Sequence, residues 1–321
     1  MLIAVYPEER PTVSIAQAHM PTTNPIATSL PRDLHLSQPL PAATLTEILG
    51  GGQCFRWRRN ASGVWLGFSG PLAVEVGQST PTTLKIGLLA GSANDLRHHL
   101  AEDVDWIALA DQLPWRTDPH LKRCIDAFPG LRILRQPLGE TLLTFICSAT
   151  KRIEQIARMA EALATRHGPV LHNSGRSPAT PSLRGLPAWP MLATLSEPQL
   201  RACGLGFRAR HVAGVARFLT AHPGWLEETA RLDYPTARSR LVTLPGVGPK
   251  IADCALLFGC AHLEAFPVDV WILRAMRRHY GLNNWSDSQV AHFGRTHFGP
   301  LAGLAQQYLF AWERAQTHVS C

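Results

Sequence analysis

Short runs in which apolar and polar residues alternate fill the chain between about residues 52 and 90. The runs are Cys54–Arg58, Val64–Phe68, Leu72–Val76 and Leu84–Ile86, with clusters of glycine, proline, serine and asparagine between them. Alternation at every second residue, interrupted by turn residues, indicates half-buried strands joined by tight connections. This part of the chain is therefore predicted to form an antiparallel meander.

A helical period replaces the alternation after about residue 92. Apolar residues then recur at steps of three and four, as in Ile153, Ile156 and Ala160. Residues 172–190 are rich in proline, serine and glycine, which predicts a surface loop. The first 41 residues hold seven prolines, which oppose both helix and sheet.

Three segments are predicted from these patterns. Residues 1–30 are expected to be disordered, residues 31–135 to form an N-terminal β-rich domain with a following helical segment, and residues 136–318 to form a helical domain. The predicted fold class is α+β, with a mainly helical core and a small antiparallel β domain.

Composition narrows the class of protein. The 321 residues are 45% hydrophobic, which supports a sizeable core, and 31 Lys and Arg against 24 Asp and Glu give a net charge of +7. A folded, moderately basic chain suits a polyanionic partner, nucleic acid first. No run of about 18 apolar residues is present, so no membrane span is expected. The seven cysteines are widely spaced without a C-x-x-C pair, which argues against a disulfide scaffold, a zinc ribbon and an iron–sulfur cluster.

The segment Leu244–Asp253 reads LPGVGPKIAD and stands between two helical patterns. Gly246 and Gly248 permit a tight turn, and the unpaired N–H groups at the start of the next helix suit a phosphate. This pattern is typical of a helix-hairpin-helix, which binds the DNA backbone without reading sequence. Taken alone, the two glycines would favour an ordinary corner between packed helices.

A carboxylate further along the chain favours the helix-hairpin-helix interpretation over an ordinary corner. Asp269 follows Lys250 by 19 residues and comes two residues after Pro267, where it is predicted to cap the next helix and face the hairpin. LPGVGPK followed by PVD resembles the helix-hairpin-helix/GPD superfamily of DNA base-excision glycosylases. In that superfamily a lysine at this position marks the bifunctional glycosylase and lyase members.

Further motifs in the same order resemble the 8-oxoguanine DNA glycosylase family. They are Gly51–Trp57, Leu134–Gln136, Phe145–Ser148, Gly204–Arg210 and Gly303–Gln306 with Phe310. The resemblance runs from about residue 34 to 315 and implies a TATA-binding-protein-like β domain packed on the helical core.

The reacting groups follow from the chemistry and the resemblance together. The amine of Lys250 can attack C1′ of the damaged nucleotide, form a Schiff base and permit β-elimination. The carboxylate of Asp269 can stabilise the positive charge that develops on the sugar. A surface lysine on a phosphate and a plain helix cap are the alternative interpretations of these two residues.

Four residues are assigned to the base pocket by the resemblance. Cys254 and Phe310 are expected to stack on opposite faces of the flipped base, and Gln306 to bond its Watson–Crick edge. The carbonyl of Gly52 is expected to accept from the N7–H of 8-oxoguanine, a proton that guanine lacks. Without the resemblance, Cys254 and Phe310 would be core residues and Gly52 a loop glycine.

The contacts to the opposite strand depart in part from the family pattern. Arg208 corresponds to the arginine that contacts the orphaned cytosine, and Phe207 to an aromatic wedge. Where the family has asparagines that fill the gap, this chain has Thr150 followed by two cations, and Gln155 stands in place of a second cytosine-reading arginine. Trp271 replaces the usual histidine, and a DNA-facing role is predicted for it.

No cofactor and no side-chain metal cluster are expected. The resemblance implies only a structural cation on the hairpin carbonyls of Val242, Leu244 and Val247. The predicted partner is duplex DNA that contains a damaged base. The protein is expected to bind it as a monomer, and no membrane is expected to take part. The expected location is intracellular: cytoplasm or nucleoid in a bacterium, nucleus in a eukaryote.

Two other functions stay open at this point. One is an alkylated-purine glycosylase of the same superfamily, which would not need the amine of Lys250. The other is a non-catalytic helix-hairpin-helix protein, which would need neither Lys250 nor Asp269. The preferred base opposite the lesion is not determined by these patterns.

Overall fold

The computed structural model describes residues 32–172 and 183–319. Its main sheet is antiparallel, with five strands in the order β1-β5-β4-β3-β2. The strands are β1 (Arg32–His35), β2 (Trp57–Arg59), β3 (Trp65–Ser69), β4 (Leu72–Thr80) and β5 (Thr83–Ala90). Strands β2 to β5 form the predicted meander, whereas β1 was not predicted. It pairs with β5 at one edge, where Lys85 bonds Asp33 at 2.6 Å.

Four helices belong to the first part of the chain. They are α1 (Ala42–Gly50), α2 (Ala93–His99), α3 (Trp106–Asp111) and α4 (Pro119–Ala127). The last three are capped by the side chains of Ser92, Asp105 and Asp118, which accept bonds from first-turn N–H groups.

Helices form most of the remainder. They are α5 (Leu138–Ile146), α6 (Ile153–His167), α7 (Trp189–Ala193), α8 (Glu197–Ala202), α9 (Ala209–Ala221), α10 (Trp225–Ala230), α11 (Tyr234–Leu241), α12 (Pro249–Cys260), α13 (Val270–Tyr280), α14 (Asp287–Phe298) and α15 (Ala302–Val319). Two 3-10 turns, Gly206–Arg208 and Gly299–Leu301, precede α9 and α15. The predicted α+β class is confirmed.

The prediction of a loop over residues 172–190 is wrong at both ends. Strands β6 (Val170–His172) and β7 (Leu183–Arg184) pair across this segment, and α7 begins at its end. The side chain of Arg184 donates to the carbonyl of Gly168 at 2.7 Å and fastens the pair. The pairing joins Val170 and His172 to Arg184 and Leu183, and the composition of the stretch does not reveal it. Residues 173–182 and the predicted disordered segment 1–30 lie outside the described residues.

One buried side chain joins two of the motifs found in the sequence. The amide of Gln53 donates to the carbonyl of Arg132 at 2.9 Å and accepts from the N–H of Leu134 at 3.0 Å. Its own carbonyl accepts from Gln136 at 2.7 Å. The loop after α1 is therefore held against the segment that leads into α5. A continuous cluster of buried apolar residues extends from the sheet through the helices.

Among the described residues, no helix is both long and apolar enough to cross a membrane.

Candidate active site

The glycine turn lies between α11 and α12, as predicted. Gly246 has a φ of +76°, and a Cβ there would lie 2.5 Å from Cγ of His211. Both constraints require glycine. Gly248 caps α12 in an extended conformation with open space beside it. The first turn of α12 is thus reachable by a phosphate.

Lys250 is the second residue of α12 and is half-buried. Its Nζ donates to Oγ of Ser148 at 3.3 Å and lies 5.1 Å from the ring centre of Phe145. The Ser148 hydroxyl in turn donates to the Phe145 carbonyl at 2.7 Å. An aromatic face attracts a cation, so the end of α5 forms a wall that orients the amine. The sequence motif that contains Phe145 and Ser148 was identified, but its contact with Lys250 was not.

Asp269 is the N-cap of α13, as predicted. Its Oδ1 accepts from the N–H groups of Trp271 at 3.0 Å and Ile272 at 2.9 Å. Burial raises the pKa of the Asp269 carboxyl, while these hydrogen bonds and the positive charge of Lys250 oppose the rise. Lys250 and Asp269 therefore act on one another electrostatically within one site.

Cys254 lies one helical turn after Lys250 and is 4% exposed. Burial raises the pKa of its thiol to about 12, although Lys250 opposes this by its charge and a side-chain hydrogen bond. The thiol is therefore neutral near pH 7. It offers a small apolar surface beside the amine, which suits stacking against a base.

Two of the predicted pocket residues lie on α15. Gln306 is buried, donates to the carbonyl of Pro267 at 3.0 Å and accepts from Gln307 at 2.7 Å. Its amide is thus held two residues before Asp269, and a base edge would replace these bonds. Phe310 is half-buried, one helical turn further along.

An ion pair behind Phe310 was not anticipated. The Arg314 guanidinium lies 5.5 Å from the centre of the Phe310 ring and pairs with Glu47 at 2.8 Å. Burial raises the pKa of Glu47 to about 7, and Arg314 opposes the rise. Since the N–H of Gly51 donates to the Glu47 carbonyl at 2.7 Å, the pair connects α15 to the loop that contains Gly52. No pattern in the sequence relates residues this far apart.

Gly52 has a φ of +101°, and a Cβ there would lie 2.9 Å from Cδ1 of Ile153 at the start of α6. Glycine is therefore required by both conformation and space. The use of its carbonyl for lesion recognition stays a prediction.

Arg208, predicted to read the orphaned base, is 2% exposed and folded inward. Its guanidinium donates to the carbonyl of Ala149 and, at 3.0 Å, to Oγ1 of Thr150. The neighbouring ring of Phe207 is 48% exposed and lies 4.3 Å from the guanidinium carbon. Thr150 adopts a φ of +55°, and Gln155 accepts from the N–H of Arg152 at 3.0 Å and so caps α6. The structure thus brings Arg208 and Thr150 together, but within the protein.

The surface of α13 is more basic than the motif analysis indicated. Trp271 is half-buried, with the Arg274 guanidinium 4.9 Å from its ring centre. Arg274 also lines an open groove with Val270, Arg277, Arg278 and Asn283. The spacing of these arginines at steps of three and four was the available signal. The groove begins one residue after Asp269, and its positive charge would attract the phosphates of a DNA backbone there.

The hairpin carbonyls proposed for a cation are only partly engaged. The Leu244 carbonyl accepts from the N–H of Val247 at 3.1 Å and keeps a second lone pair. Val242 is 38% exposed, just after α11. The structural cation stays a prediction.

Comparisons with known proteins agree with this geometry. The family profile described as 8-oxoguanine DNA glycosylase, N-terminal domain, matches residues 37–142. A protein of Methanothermobacter thermautotrophicus named "Probable N-glycosylase/DNA lyase" is 34% identical over 212 residues, covering 60% of this chain and 66% of that protein. The N-glycosylase/DNA lyase OGG1 of Arabidopsis thaliana is 26% identical over 342 aligned positions, covering 96% and 89%.

One solved structure is similar to this chain over most of the length of both proteins. The 8-oxoguanine glycosylase/lyase of Clostridium acetobutylicum, in complex with duplex DNA containing cytosine opposite 8-oxoguanine, superposes with a TM-score of 0.78. It is 31% identical, and the match covers 85% of this chain and 92% of that chain. The 3-methyladenine DNA glycosylase of Archaeoglobus fulgidus, at 19% identity and a TM-score of 0.69, shares the fold.

Proposed function

The chain belongs to the 8-oxoguanine DNA glycosylase family, and we propose that it excises 8-oxoguanine from duplex DNA and then nicks the strand at the resulting site. The observation that carries this proposal is the arrangement of Lys250 and Asp269. The amine stands at the start of α12, held by Ser148 and Phe145, and its charge acts on the carboxylate that caps α13.

The chemistry follows from these two groups. Lys250 first gives up a proton to solvent; its neutral amine then attacks C1′ while the bond between C1′ and the base nitrogen breaks, and the base leaves with the electron pair and takes up a proton. Asp269 stabilises the positive charge that develops on the sugar. The sugar then opens to a Schiff base on Nζ. Loss of a proton from C2′ expels the 3′ phosphate and cleaves the strand.

Recognition of the lesion is assigned to the residues around the amine. The thiol of Cys254 and the ring of Phe310 provide two apolar surfaces for a flipped purine, and the amide of Gln306 provides its polar contact. The carbonyl of Gly52 accepts from N7–H, which only the oxidised base carries. Support comes from the neutral thiol, from the half-buried ring and from the amide held near Asp269.

Duplex DNA is the partner. The hairpin at Gly246 and Gly248 and the arginines of α13 bind its phosphates, with Trp271 beside them. A cation on the carbonyls of Val242, Leu244 and Val247 would bridge the hairpin to a phosphate. The protein acts as a monomer, inside the cell, where its substrate is.

Trapping of the Schiff base tests the proposal. The full chain is incubated with borohydride and a duplex in which 8-oxoguanine stands opposite cytosine, and a covalent protein–DNA adduct is measured on a denaturing gel. The matched control is the same duplex with guanine at the lesion position. We expect an adduct with the lesion only.

A third duplex distinguishes the alternative activity. Release of an alkylated adenine without any adduct, together with inert 8-oxoguanine, would establish a monofunctional alkylpurine glycosylase instead. Tight binding of all three duplexes without base release would establish a non-catalytic DNA-binding protein.

A further inference from the structure

A partly buried ion pair joins two helices that border the predicted base pocket. Arg314 on α15 donates to Oε1 of Glu47 on α1 at 2.8 Å. The two side chains are only 16% and 18% exposed. The proposed excision chemistry uses neither of them, so their role in the site is open.

Glu47 contacts the loop that contains Gly52. The N–H of Gly51 donates to the backbone carbonyl of Glu47 at 2.7 Å. A Cβ at residue 51 would overlap Oε1 of Glu47, although the φ of −81° at Gly51 suits any residue. Glycine is therefore required at residue 51 by space, because the carboxylate lies where a side chain would begin. The position of the carboxylate and the path of the loop depend on one another.

Arg314 contacts the other predicted recognition element. Its guanidinium carbon lies 5.5 Å from the ring centre of Phe310, one helical turn before it on α15, and an aromatic face attracts a cation. Burial raises the pKa of the Asp269 carboxyl, and the charge of Arg314 is among those that oppose the rise. The guanidinium thus lies beside the ring predicted to stack on the base and acts on a carboxylate predicted to react.

The pair is better explained by the geometry that it fixes than by stability. Burial raises the pKa of the Glu47 carboxyl to about 7, and the charge and hydrogen bond of Arg314 oppose this rise. The cost of removing a carboxylate from water commonly offsets its attraction to a partner, so such a pair adds little net stability. A hydrogen-bonded guanidinium and carboxylate nevertheless restrict the separation and orientation of the elements that carry them.

We propose that Glu47 and Arg314 are positioning residues for lesion recognition, which fix the loop at Gly52 relative to the ring of Phe310. Their role rests on the proposed function, in which the Gly52 carbonyl accepts from N7–H of 8-oxoguanine and the Phe310 ring stacks on the same base. A displacement of the loop would lengthen the one hydrogen bond that distinguishes this base from guanine. Misplacement by about 1 Å can cost on the order of 10²-fold in rate.

Two duplexes separate positioning of the base from the reaction of the amine. One carries 8-oxoguanine opposite cytosine. The other carries an abasic site opposite cytosine, where strand cleavage needs Lys250 but no base in the pocket. Single-turnover rates of the full chain are measured about one pH unit above the pKa of Glu47, where its carboxyl is ionised. We expect Glu47→Ala to slow excision by about 10- to 100-fold and to leave abasic-site cleavage within about twofold of the wild type.

Further variants test whether the two side chains act as one unit. Glu47→Gln, whose amide oxygen can still accept from Arg314, should recover part of the lost excision rate. Glu47→Ala combined with Arg314→Met should be no slower than Arg314→Met alone, because residues that act together are not additive. Glu228→Ala is the matched control, since it breaks a 2.7 Å ion pair with Arg240 between α10 and α11 and should keep both wild-type rates.

The wild type and the variants distinguish failure of this role from failure of the proposed function. A wild type that does not excise 8-oxoguanine would overturn the proposed function and the role of the pair with it. Unchanged excision by Glu47→Ala, in an active background, would overturn the role of the pair alone. Equal losses on both duplexes would mean that the pair only supports the fold, and multiplied losses in the double variant would mean that Glu47 and Arg314 act separately. Either result would also overturn the role proposed for the pair.

Discussion

The two sides of the active site are prepared to different degrees. On one side, Lys250 and Asp269 are held by neighbouring groups, the amine by Ser148 and the carboxylate by two N–H groups of α13. On the other side, Arg208 donates its hydrogen bonds inward, to Ala149 and Thr150. The groups predicted to react are positioned before DNA arrives, whereas the group predicted to read the opposite base is not.

This difference has an energetic meaning. Groups fixed in advance stabilise a transition state without a cost of reorganisation at the moment of reaction. Arg208 must break its bonds to Ala149 and Thr150 before it can reach a base, so only the difference between the two sets of bonds favours cytosine. Catalysis is thus expected to be strong and opposite-base discrimination weak.

The largest effect is expected from Lys250→Gln. Without the amine no Schiff base can form, so excision and borohydride trapping should both be lost. DNA affinity, measured by fluorescence anisotropy, should change little, because the hairpin backbone is predicted to carry the phosphate contacts. A Lys250→Gln protein that still forms the trapped adduct would remove Lys250 from the mechanism.

Asp269→Asn should reduce single-turnover excision by on the order of 10²-fold, since an amide cannot offset the charge on the sugar. Asparagine also caps helices well, so folded stability should change little. Asp233→Asn is the matched control, because Asp233 caps α11 through a 2.9 Å bond from Thr236 and lies outside the site. Equal rates for the two variants would reduce Asp269 to a helix cap.

Opposite-base preference tests the other side of the comparison. Excision is measured on four duplexes that differ only in the base opposite 8-oxoguanine. We expect cytosine to be preferred, but by less than the family pattern implies, because Gln155 caps α6 in place of a second arginine. Arg208→Ala should reduce the preference by less than the roughly 10- to 100-fold that one full charge-assisted contact is worth, because the bonds to Ala149 and Thr150 are given up first.

Arg210→Ala is the control for Arg208→Ala. Arg210 is exposed at the start of α9, and its loss should slow all four duplexes alike if it contacts a phosphate. A wild-type preference of several orders of magnitude would show that Gln155 or its neighbours compensate. Four wild-type rates within a few-fold would show that Arg208 alone is insufficient.

The smallest effect is expected from a change at Gly246, in the turn between α11 and α12 that lies against His211 of α9. Gly246→Ala forces a left-handed conformation and a clash with His211, three residues after Arg208 on α9. It should lower the free energy of unfolding by about 1–3 kcal/mol in denaturant titrations. Gly248→Ala, with open space and an ordinary φ, should stay within about 0.5 kcal/mol of the wild type. Equal destabilisation by both changes would contradict the assigned turn geometry.

Local features of the site were predictable from sequence. The turn at Gly246, the cap at Asp269 and the shared face of Lys250 and Cys254 each depend on residues within one helix or turn, where spacing fixes geometry. The meander was predictable for the same reason. The pairing of β1 with β5 was not, since Arg32–His35 alone carries no signal for its partner.

Contacts between distant segments were not predictable. The wall of Phe145 and Ser148 around the amine, the Glu47–Arg314 pair and the inward bonds of Arg208 all join segments far apart in the sequence. His120, His279 and Glu313, which meet at the junction of α4, α13 and α15, are of the same kind.

The inward position of Arg208 has a consequence for how damage is found. A repair protein passes far more undamaged than damaged pairs, and electrostatic contacts to phosphate let it slide and hop between them. Because the guanidinium of Arg208 is held inside the protein, one side chain fewer contacts the stacked base pairs of the DNA during that search. We expect the exposed ring of Phe207, predicted to act as a wedge, to meet the base pairs before Arg208 does, and the arginine to be released after a base has left the stack. We therefore expect the search for damage to come first and the recognition of the opposite base to follow in the same encounter.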